Sequence, residues 1–446
     1  MTNEVNTPRL PETLTYIDLF AGCGGLSLGL HNAGWTGMFA IERNPMAFET
    51  LQHNLIDSEL DHFSLWPNWL PRKACSIQRL TQTYRHELKA LRGSVMMIAG
   101  GPPCQGFSPA GKRAKNDHRN QLYKTYLDVV SLVRPALVVI ENVTGITAEF
   151  GGKRNRSKLG PGRPRMAFSE RIRYALEKKL HYTVFEDNLL AANYGVPQTR
   201  TRFVAIGIDN AFLEGYGQKL NPHEILSSIR TSFLQSQGLR ADEHITCQEA
   251  LSDLIYDKAN IAPSPDTKKY MAGKYSDAIG AYQLLMRRKI PTGTVADSHR
   301  FVKHRIDIVK RFEEILATCP KGKNIPDEFR KKHGIKKACI VPLDPVKPAG
   351  TLTTIPDDMI HYGQPRVLTA RECARLQSFP DWFAFKSKYT TGGKNRKREC
   401  PRYTQIGNAV PPLLAQAIGR ALDIWIQSQR KKLSSTSSSP KELLSA

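Results

Sequence analysis

The chain has 446 residues, of which 40% are hydrophobic, so it is long enough to bury a sizeable core and to form about two domains. Its 64 basic and 41 acidic residues give a formal net charge of +23, which favours a polyanionic partner such as nucleic acid. The eight cysteines include no C-x-x-C pair, which argues against a zinc ribbon, and no long apolar span or basic amphipathic helix supports a membrane partner.

The amino-terminal segment Met1–Pro11 is polar and lacks the layout of a secretory signal, so we expect a cytoplasmic protein whose thiols stay reduced. After it, short apolar strands alternate with helical stretches such as Tyr123–Val133 and Ser169–Leu180, a pattern typical of a parallel sheet covered on both faces. The fold class predicted is therefore α/β with a Rossmann-like sheet. The strands predicted are Leu14–Phe20, Thr36–Glu42, Val95–Ala99, Ala136–Glu141, Tyr182–Asn188 and Arg202–Ile208.

A glycine turn, Gly22-Cys23-Gly24-Gly25, follows the first strand and leads into a helix. Glycines let the backbone approach a ligand, and the helix start offers free N–H groups, so the turn predicts a cofactor cradle. The third glycine of a dinucleotide G-x-G-x-x-G motif would fall on Ser27, which favours an adenosyl ligand other than NAD. Glu42 closes the next strand, where a carboxylate can accept both ribose hydroxyls; the alternative is a solvated acid at a strand end.

A thiol occupies the turn after the third strand, in the segment Gly100–Ser108. Ligands of open α/β sheets bind outside the carboxyl ends of the strands, so Cys104 is placed to act as a nucleophile, although an isolated Pro-Cys is more often a buried structural residue. An acid, Glu141, ends the fourth strand. Two arginines, Arg200 and Arg202, lie at the start of the last predicted strand. The alternative for each is a salt-bridged or solvated arginine at the surface.

The regular pattern weakens from Asp209 to about Ile340 into polar, loop-rich sequence that we interpret as a separate domain with a basic cluster around Lys331. Order returns in two later segments and in a helix predicted over Leu413–Gln427. The predicted division is 12–208 and 346–428 for the first domain, 209–345 for the second and 429–446 for a disordered tail. The two later segments are Arg366–Pro380 and Gln405–Pro412.

Taken in order, these motifs resemble the cytosine-5 DNA methyltransferases of the bacterial restriction-modification type, over nearly the whole chain except its ends and the central insert. The resemblance implies an S-adenosylmethionine-dependent sheet with a smaller target-recognition domain at 209–345. Ile77 would pack on the adenine, but Ser76 stands where the family usually has an aspartate. The other residues that the resemblance implies for the cofactor are Phe20, Gly22, Gly24, Glu42, Pro102, Leu122, Asn408 and Val410.

The resemblance also implies a mechanism, in which Cys104 attacks carbon 6 of a flipped-out cytosine while Glu141 serves ring nitrogen 3. Arg202 would bind the cytosine carbonyl and help to hold Glu141, and Arg200 would position Cys104 or a nearby phosphate. The basic loop Gly106–Asn120 is expected to close over the base, and two further basic stretches, 151–165 and 394–398, to contact the DNA backbone.

The expected partners are double-stranded DNA and a cognate restriction endonuclease, and the expected state is a monomer without a membrane partner. Two alternatives remain open: a transfer RNA cytosine-5 methyltransferase and a catalytically silent DNA-binding relative. The large insert argues against the first, and intact Cys104 and Glu141 argue against the second.

Overall fold

The computed structural model describes residues 13–103, 122–147, 167–216, 220–288, 290–393, 395 and 398–436. Cys104, the loop 106–120 and the basic stretch 151–165 lie outside the described residues. Within the described part of the chain, no helix is both long and apolar enough to cross a membrane.

A six-stranded sheet of order β2-β1-β3-β4-β6-β5 forms the centre of the molecule. All six strands match the sequence prediction within a few residues. Their side chains are largely buried in β1, β3, β4 and β6, because helices cover both faces of the sheet. The strands are β1 (Thr15–Leu19), β2 (Thr36–Ile41), β3 (Met97–Gly100), β4 (Leu137–Val143), β5 (Tyr182–Leu190) and β6 (Thr201–Asp209).

One strand departs from the predicted parallel sheet, since β6 runs antiparallel to both β4 and β5, and the sheet is mixed. The cause is the short connection 191–200, which holds only one 3₁₀ turn, Ala191–Tyr194. A parallel crossover needs a dozen or more residues and usually a helix. The reversal brings the start of β6 to the edge at which β1 to β4 end.

Helices of the first domain cover this sheet, and the last of them, α16 (Pro412–Thr436), packs on α1 (Gly25–Asn32). Gly29 permits this contact, because a Cβ atom there would lie 2.4 Å from the carbonyl oxygen of Pro412. The others are α2 (Pro45–Leu51), α3 (Ile77–Thr83), α4 (Arg85–Ala90), α5 (Leu122–Val133) and α6 (Phe168–Tyr174), which a π-helical turn, Ala175–Lys179, extends.

Helix α16 ends nine residues beyond the predicted Gln427, so the segment predicted as a disordered tail from residue 429 begins in helix. The basic sequence Arg430-Lys431-Lys432 consists of good helix formers, and the chain that follows contains no glycine or proline before Pro440. Residues 437–446 lie outside the described part of the chain.

The central insert is more regular than its polar sequence suggested. Three of its helices, α7 (Asn210–Tyr216), α8 (Pro222–Ser228) and α9 (Arg230–Ser236), join the first core, and α7 and α8 contact α16. The boundary between the two domains at residue 209 stays a prediction. Farther along, β7 (Ile261–Pro263), β8 (Met271–Lys274) and β9 (Val295–Arg300) form a three-stranded antiparallel sheet.

The remaining elements join the insert to the returning segment. Arg375, in the buried helix α14, forms an ion pair of 2.9 Å with Asp253 and accepts a hydrogen bond of 2.5 Å from the Tyr282 hydroxyl at its carbonyl. The elements are α10 (Cys247–Leu251), α11 (Ala281–Met286), α12 (Ile306–Thr318), α13 (Asp327–Lys332), β10 (Val341–Pro342), β11 (Met359–Ile360), α14 (Ala370–Leu376) and α15 (Arg402–Asn408).

Candidate active site

A cleft of about 1430 Å³ opens at the edge where β1 to β4 end and β6 begins. Ligands of open α/β sheets bind at this edge. Pockets for one small molecule are usually about 300–1,000 Å³, so this cleft has room for a cofactor together with a second reactant. Its walls come from the strand ends, from the returning segment 351–357 and 398–410, and from the second sheet.

The glycine turn after β1 borders the cleft and is braced by an acid. Gly22 has a φ of +58°, and a Cβ atom there would meet nothing within 4 Å, so its backbone faces open space. Its N–H donates to Oε2 of Glu42 at 3.1 Å, while Oε1 accepts from the N–H of Asn44 at 2.6 Å. An ionised carboxylate has about four acceptor positions, so Glu42 can still accept hydrogen bonds from a ligand in the cleft that it lines.

A second acid at this edge, Asp18, was not among the residues singled out from the sequence. It is completely buried in β1, where Oδ2 accepts from the Ser27 hydroxyl at 2.6 Å and Oδ1 has no hydrogen-bond partner among the described residues. Burial raises the pKa of Asp18 to about 7. A buried carboxylate oxygen without a partner beside a cleft suits a cationic ligand group. The signal in the sequence was an acid inside the apolar strand Tyr16–Leu19.

Glu141 and Arg202 form an ion pair at the floor of the cleft, with 2.8 Å between Oε1 and Nε. Arg202 lies opposite Val143 in the β4–β6 register, so its side chain shares a face with that of Glu141 two residues earlier. Both side chains are about nine-tenths buried. Burial raises the pKa of Glu141, although the nearby Arg202 guanidinium opposes this rise. The predicted contact between the two residues is therefore confirmed.

Asn142 ties the end of β4 to the turn that follows β3. Its Nδ2 donates to the carbonyl oxygen of Pro102 at 2.8 Å. Next to it, a Cβ atom on Gly101 would lie 3.1 Å from Oε2 of Glu141, so only a glycine leaves that carboxylate room without displacement. These contacts hold the residues immediately before Cys104 against Glu141. Sequence periodicity carries no signal for this hydrogen bond.

Arg200 lies at the start of β6 and contacts the returning segment. Only 2% of it is exposed, and its guanidinium donates to the carbonyl oxygens of Leu352 at 3.2 Å and Gly407 at 2.9 Å. It therefore holds the returning segment against the start of β6, and it is also one of the residues that line the cleft. A contact with Cys104 lies outside the described residues.

The model of the family C-5 cytosine-specific DNA methylase matches residues 14–423. The chain belongs to this family. It is a DNA cytosine-5 methyltransferase, and the fold class predicted from the sequence is confirmed.

Curated relatives of this methylase span it almost from end to end. The type II methyltransferase M.DdeI of Desulfomicrobium norvegicum is 30% identical over 93% of this chain and 89% of its own length. M.XorII of Xanthomonas oryzae, also a type II methyltransferase, is 30% identical over 90% of this chain and 83% of its own length. Among solved structures, a candidate DNA modification methyltransferase encoded in an E. coli prophage is similar in fold, with a TM-score of 0.58, 24% identity and coverage of 93% of this chain and 100% of that one.

Seven of the nine cofactor residues predicted for this methylase line the cleft. Gly24 and Ile77 are not among the lining residues: Gly24, with a φ of +98°, packs against Leu51 and Leu55, and Ile77 is 2% exposed in the core. Ser76 caps α3 by accepting from the N–H of Arg79 at 3.2 Å. The residues that line the cleft are Phe20, Gly22, Glu42, Pro102, Leu122, Asn408 and Val410.

Proposed function

We propose that this methylase transfers a methyl group from S-adenosylmethionine to carbon 5 of a cytosine in double-stranded DNA through a covalent adduct with Cys104. The observation that carries the proposal is the Glu141–Arg202 pair, which lies in one cleft with the glycine turn and beside the turn that leads to Cys104.

The residues of the cleft fit S-adenosylmethionine. Its ammonium group suits the unpartnered Oδ1 of Asp18, its methionine part suits the open backbone of Gly22, and its ribose hydroxyls suit the remaining acceptor positions of Glu42. When bound, S-adenosylmethionine supplies an electrophilic methyl group. Gly24 and Ile77 would contribute to this site from the layer behind the lining residues.

The chemistry assigned to the protein makes carbon 5 nucleophilic. The Cys104 thiolate forms a bond to carbon 6, the electrons of the 5,6 double bond shift into the ring, and Glu141 gives a proton or a hydrogen bond to nitrogen 3. Arg202 donates to the carbonyl oxygen at carbon 2 while its Nε holds Glu141. Once carbon 5 carries the methyl group, water or hydroxide takes its proton, the 5,6 double bond is restored, and the bond to carbon 6 breaks to release the Cys104 thiolate.

A cytosine inside a duplex cannot reach these groups, so we infer that the base is flipped out of the helix into the cleft, at a cost of a few kcal/mol. The cleft volume of about 1430 Å³ supports this inference, because a cofactor and a base fit together. We assign the choice of DNA sequence to the target-recognition domain, within 209–345.

The cellular setting follows from the same proposal. The type II names of M.DdeI and M.XorII support a companion restriction endonuclease that acts on the same DNA site. A DNA substrate implies action at the nucleoid in the bacterial cytoplasm. We expect a monomer, because flipping one base at a time requires no second subunit.

Bisulfite sequencing tests the proposal directly. The wild-type chain, Cys104→Ala and the control Cys339→Ala, which alters a cysteine of the second domain, are expressed in a host without cytosine methylation. We expect a short motif protected from conversion with the wild type and Cys339→Ala only, and mass spectrometry of the nucleosides should place the methyl group on carbon 5. Complete conversion with all three soluble proteins would contradict a DNA substrate, and protection by Cys104→Ala would remove the nucleophile.

A further inference from the structure

A planar cation lies between two aromatic rings on the wall that the second sheet contributes to the cleft. Arg300 is the last residue of β9, and its guanidinium carbon is 4.3 Å from the ring centroid of Tyr270 and 3.9 Å from that of Tyr389. Both distances are within the range of cation–π contacts. All three residues line the cleft.

Within the described part of the chain, Arg300 has no hydrogen-bond acceptor and no acidic partner, and its buried Nε is without a partner. The contrast with Arg402 is direct, because Arg402 stacks on the same Tyr389 ring at 4.2 Å but forms an ion pair with Asp266 and donates to the Ser298 hydroxyl at 3.0 Å. One arginine of this cluster therefore has its counter-ion inside the protein, and the other faces the cleft without one.

The clamp determines which ligand Arg300 can take. With two rings in cation–π contact, the guanidinium still has N–H donors in its own plane, and these match the two oxygens of a phosphate or carboxylate. Cation–π contacts hold the group in place without neutralising its charge. Tyr270 and Tyr389 already take up stacking contacts of this group, so an oxyanion is the ligand class that fits its donors.

The local backbone is shaped around this position. The β8–β9 pairing shifts register between Ala272 and Lys274, and Ser298 adopts a φ of +59°, which is uncommon for a residue with a side chain. The Ser298 hydroxyl compensates by donating to Asp297 at 2.7 Å and accepting from Arg402. Bulges of this kind re-aim side chains and occur next to functional sites.

We propose that Arg300 binds a phosphodiester group of the DNA strand that carries the target cytosine, and so positions that strand over the catalytic edge. The inference deepens the proposed function and rests on it, since DNA must enter this cleft. Another oxyanion, the carboxylate of the cofactor, has the same chemistry. DNA is favoured because Arg300 comes from the second sheet, whereas the cradle residues Gly22 and Glu42 come from the ends of β1 and β2.

The test measures DNA binding by the full chain without methyl transfer. Fluorescence anisotropy with a short mixed-sequence duplex is recorded over a salt series for the wild type, Arg300→Gln, Arg300→Lys and the control Arg85→Gln, which removes the same charge from an exposed ion pair on α4. We expect Arg300→Gln to weaken binding about tenfold and to reduce the slope of log affinity against log salt by about 1. Arg300→Lys should fall between it and the wild type, and Arg85→Gln should match the wild type.

Calorimetry with S-adenosylmethionine alone separates the two oxyanions. Unchanged cofactor affinity in Arg300→Gln is expected, whereas a loss of cofactor affinity with normal DNA binding would overturn the proposal in favour of the cofactor carboxylate. Wild-type DNA affinity and salt slope in Arg300→Gln, or an equal loss in Arg85→Gln, would also overturn it.

A second pair of variants keeps the test decisive if Arg300→Gln fails to fold. Tyr270→Phe retains the ring and should bind DNA as the wild type does, while Tyr270→Leu opens the clamp and should weaken binding. Equal DNA affinity in these two variants would count against the clamp. The binding measurements need no methyl transfer, so their outcome does not depend on the bisulfite experiment with Cys104. A failure of the Arg300 proposal can therefore be distinguished from a failure of the proposed function.

Discussion

Asn142 donates a hydrogen bond from Nδ2 to the carbonyl oxygen of Pro102, at 2.8 Å and across 40 positions of the sequence. Glu141 precedes the donor by one residue, and Pro102 precedes Cys104 by two. The bond therefore couples the position of the acid at the end of β4 to that of the turn which presents the thiol, so that one part of the site cannot shift without the other.

Asn142→Asp tests this coupling, because an ionised aspartate has nearly the same shape but cannot donate to the Pro102 carbonyl. We expect the single-turnover methylation rate constant to fall about 10- to 100-fold, since small displacements of reacting groups have effects of this size. Cofactor affinity should change little. Asn188→Asp, on the exposed part of β5, controls for the added charge. A normal rate in Asn142→Asp would show that the bond does not position the turn.

The acidity of Glu141 should appear in the pH dependence of the reaction. Burial raises the pKa of its carboxyl group, so the protonated form that can serve nitrogen 3 persists to higher pH than in an exposed glutamate. We expect the single-turnover rate to decrease as the pH rises through this raised pKa. Glu141→Gln should lose about 10²- to 10⁴-fold in rate, remain folded, and show no such decrease, because an amide cannot transfer a proton. Glu243→Gln, at an exposed position, is the control. Normal turnover by Glu141→Gln would require another donor.

Most strands of the first domain could be predicted because β1, β3, β4 and β6 are buried on both faces and appear as short apolar runs, such as Leu137–Ile140. The site lies at the edge of the sheet where these strands end, so the contact between Glu141 and Arg202 could be predicted. The antiparallel direction of β6 could not be predicted, because it depends on the lack of a helical crossover in the connection 191–200. The contacts of Asn142 and Arg200 could not be predicted for a related reason, because their partners Pro102 and Gly407 are distant in sequence and leave no trace in periodicity.

The second domain was harder to predict because most of its elements, apart from α12 (Ile306–Thr318), are too short for a hydrophobic period to develop. Strand β7 covers Ile261–Pro263 and helix α13 covers Asp327–Lys332, which is less than two turns. Its attachment to the rest of the molecule depends on buried charges instead, such as the pair Arg375–Asp253. Polar sequence of this kind is typical of loops until the partners are known.

Gly22 and Gly24 form a matched pair that separates ligand approach from packing. Both have positive φ, so alanine at either position costs about 1 kcal/mol of backbone strain. At Gly22 the new Cβ enters open space beside the cleft, whereas at Gly24 it lies 2.8 Å from Leu51 and 2.9 Å from Leu55. We expect Gly22→Val to weaken S-adenosylmethionine binding in calorimetry far more than Gly22→Ala. Gly24→Ala should instead lower the melting temperature more than Gly22→Ala does. Unchanged affinity in Gly22→Val would argue against the cradle.

Asp18 provides a prediction in which stability and binding move in opposite directions. Burial raises its pKa from 3.8 to about 7, so its contribution to folding is fully present below about pH 4 and is lost as the pH rises through 7. Asp18→Asn removes the buried charge and should raise the melting temperature at about pH 8, with little effect at about pH 4. The corresponding gain in the free energy of unfolding at about pH 8 is at most about 4 kcal/mol.

Cofactor binding by Asp18→Asn should change the other way if Oδ1 pairs with the ammonium group. Wild-type affinity for S-adenosylmethionine should increase between about pH 5.5 and about pH 7, where Asp18 ionises while the α-amino group stays charged. Asp18→Asn should bind more weakly at pH 7 and lose this dependence. Adenosine lacks the α-amino group of the methionine part, so its affinity should be the same for Asp18→Asn and the wild type. A variant that is more stable yet binds S-adenosylmethionine as tightly as the wild type would mean that the buried carboxylate serves some purpose other than holding the cofactor.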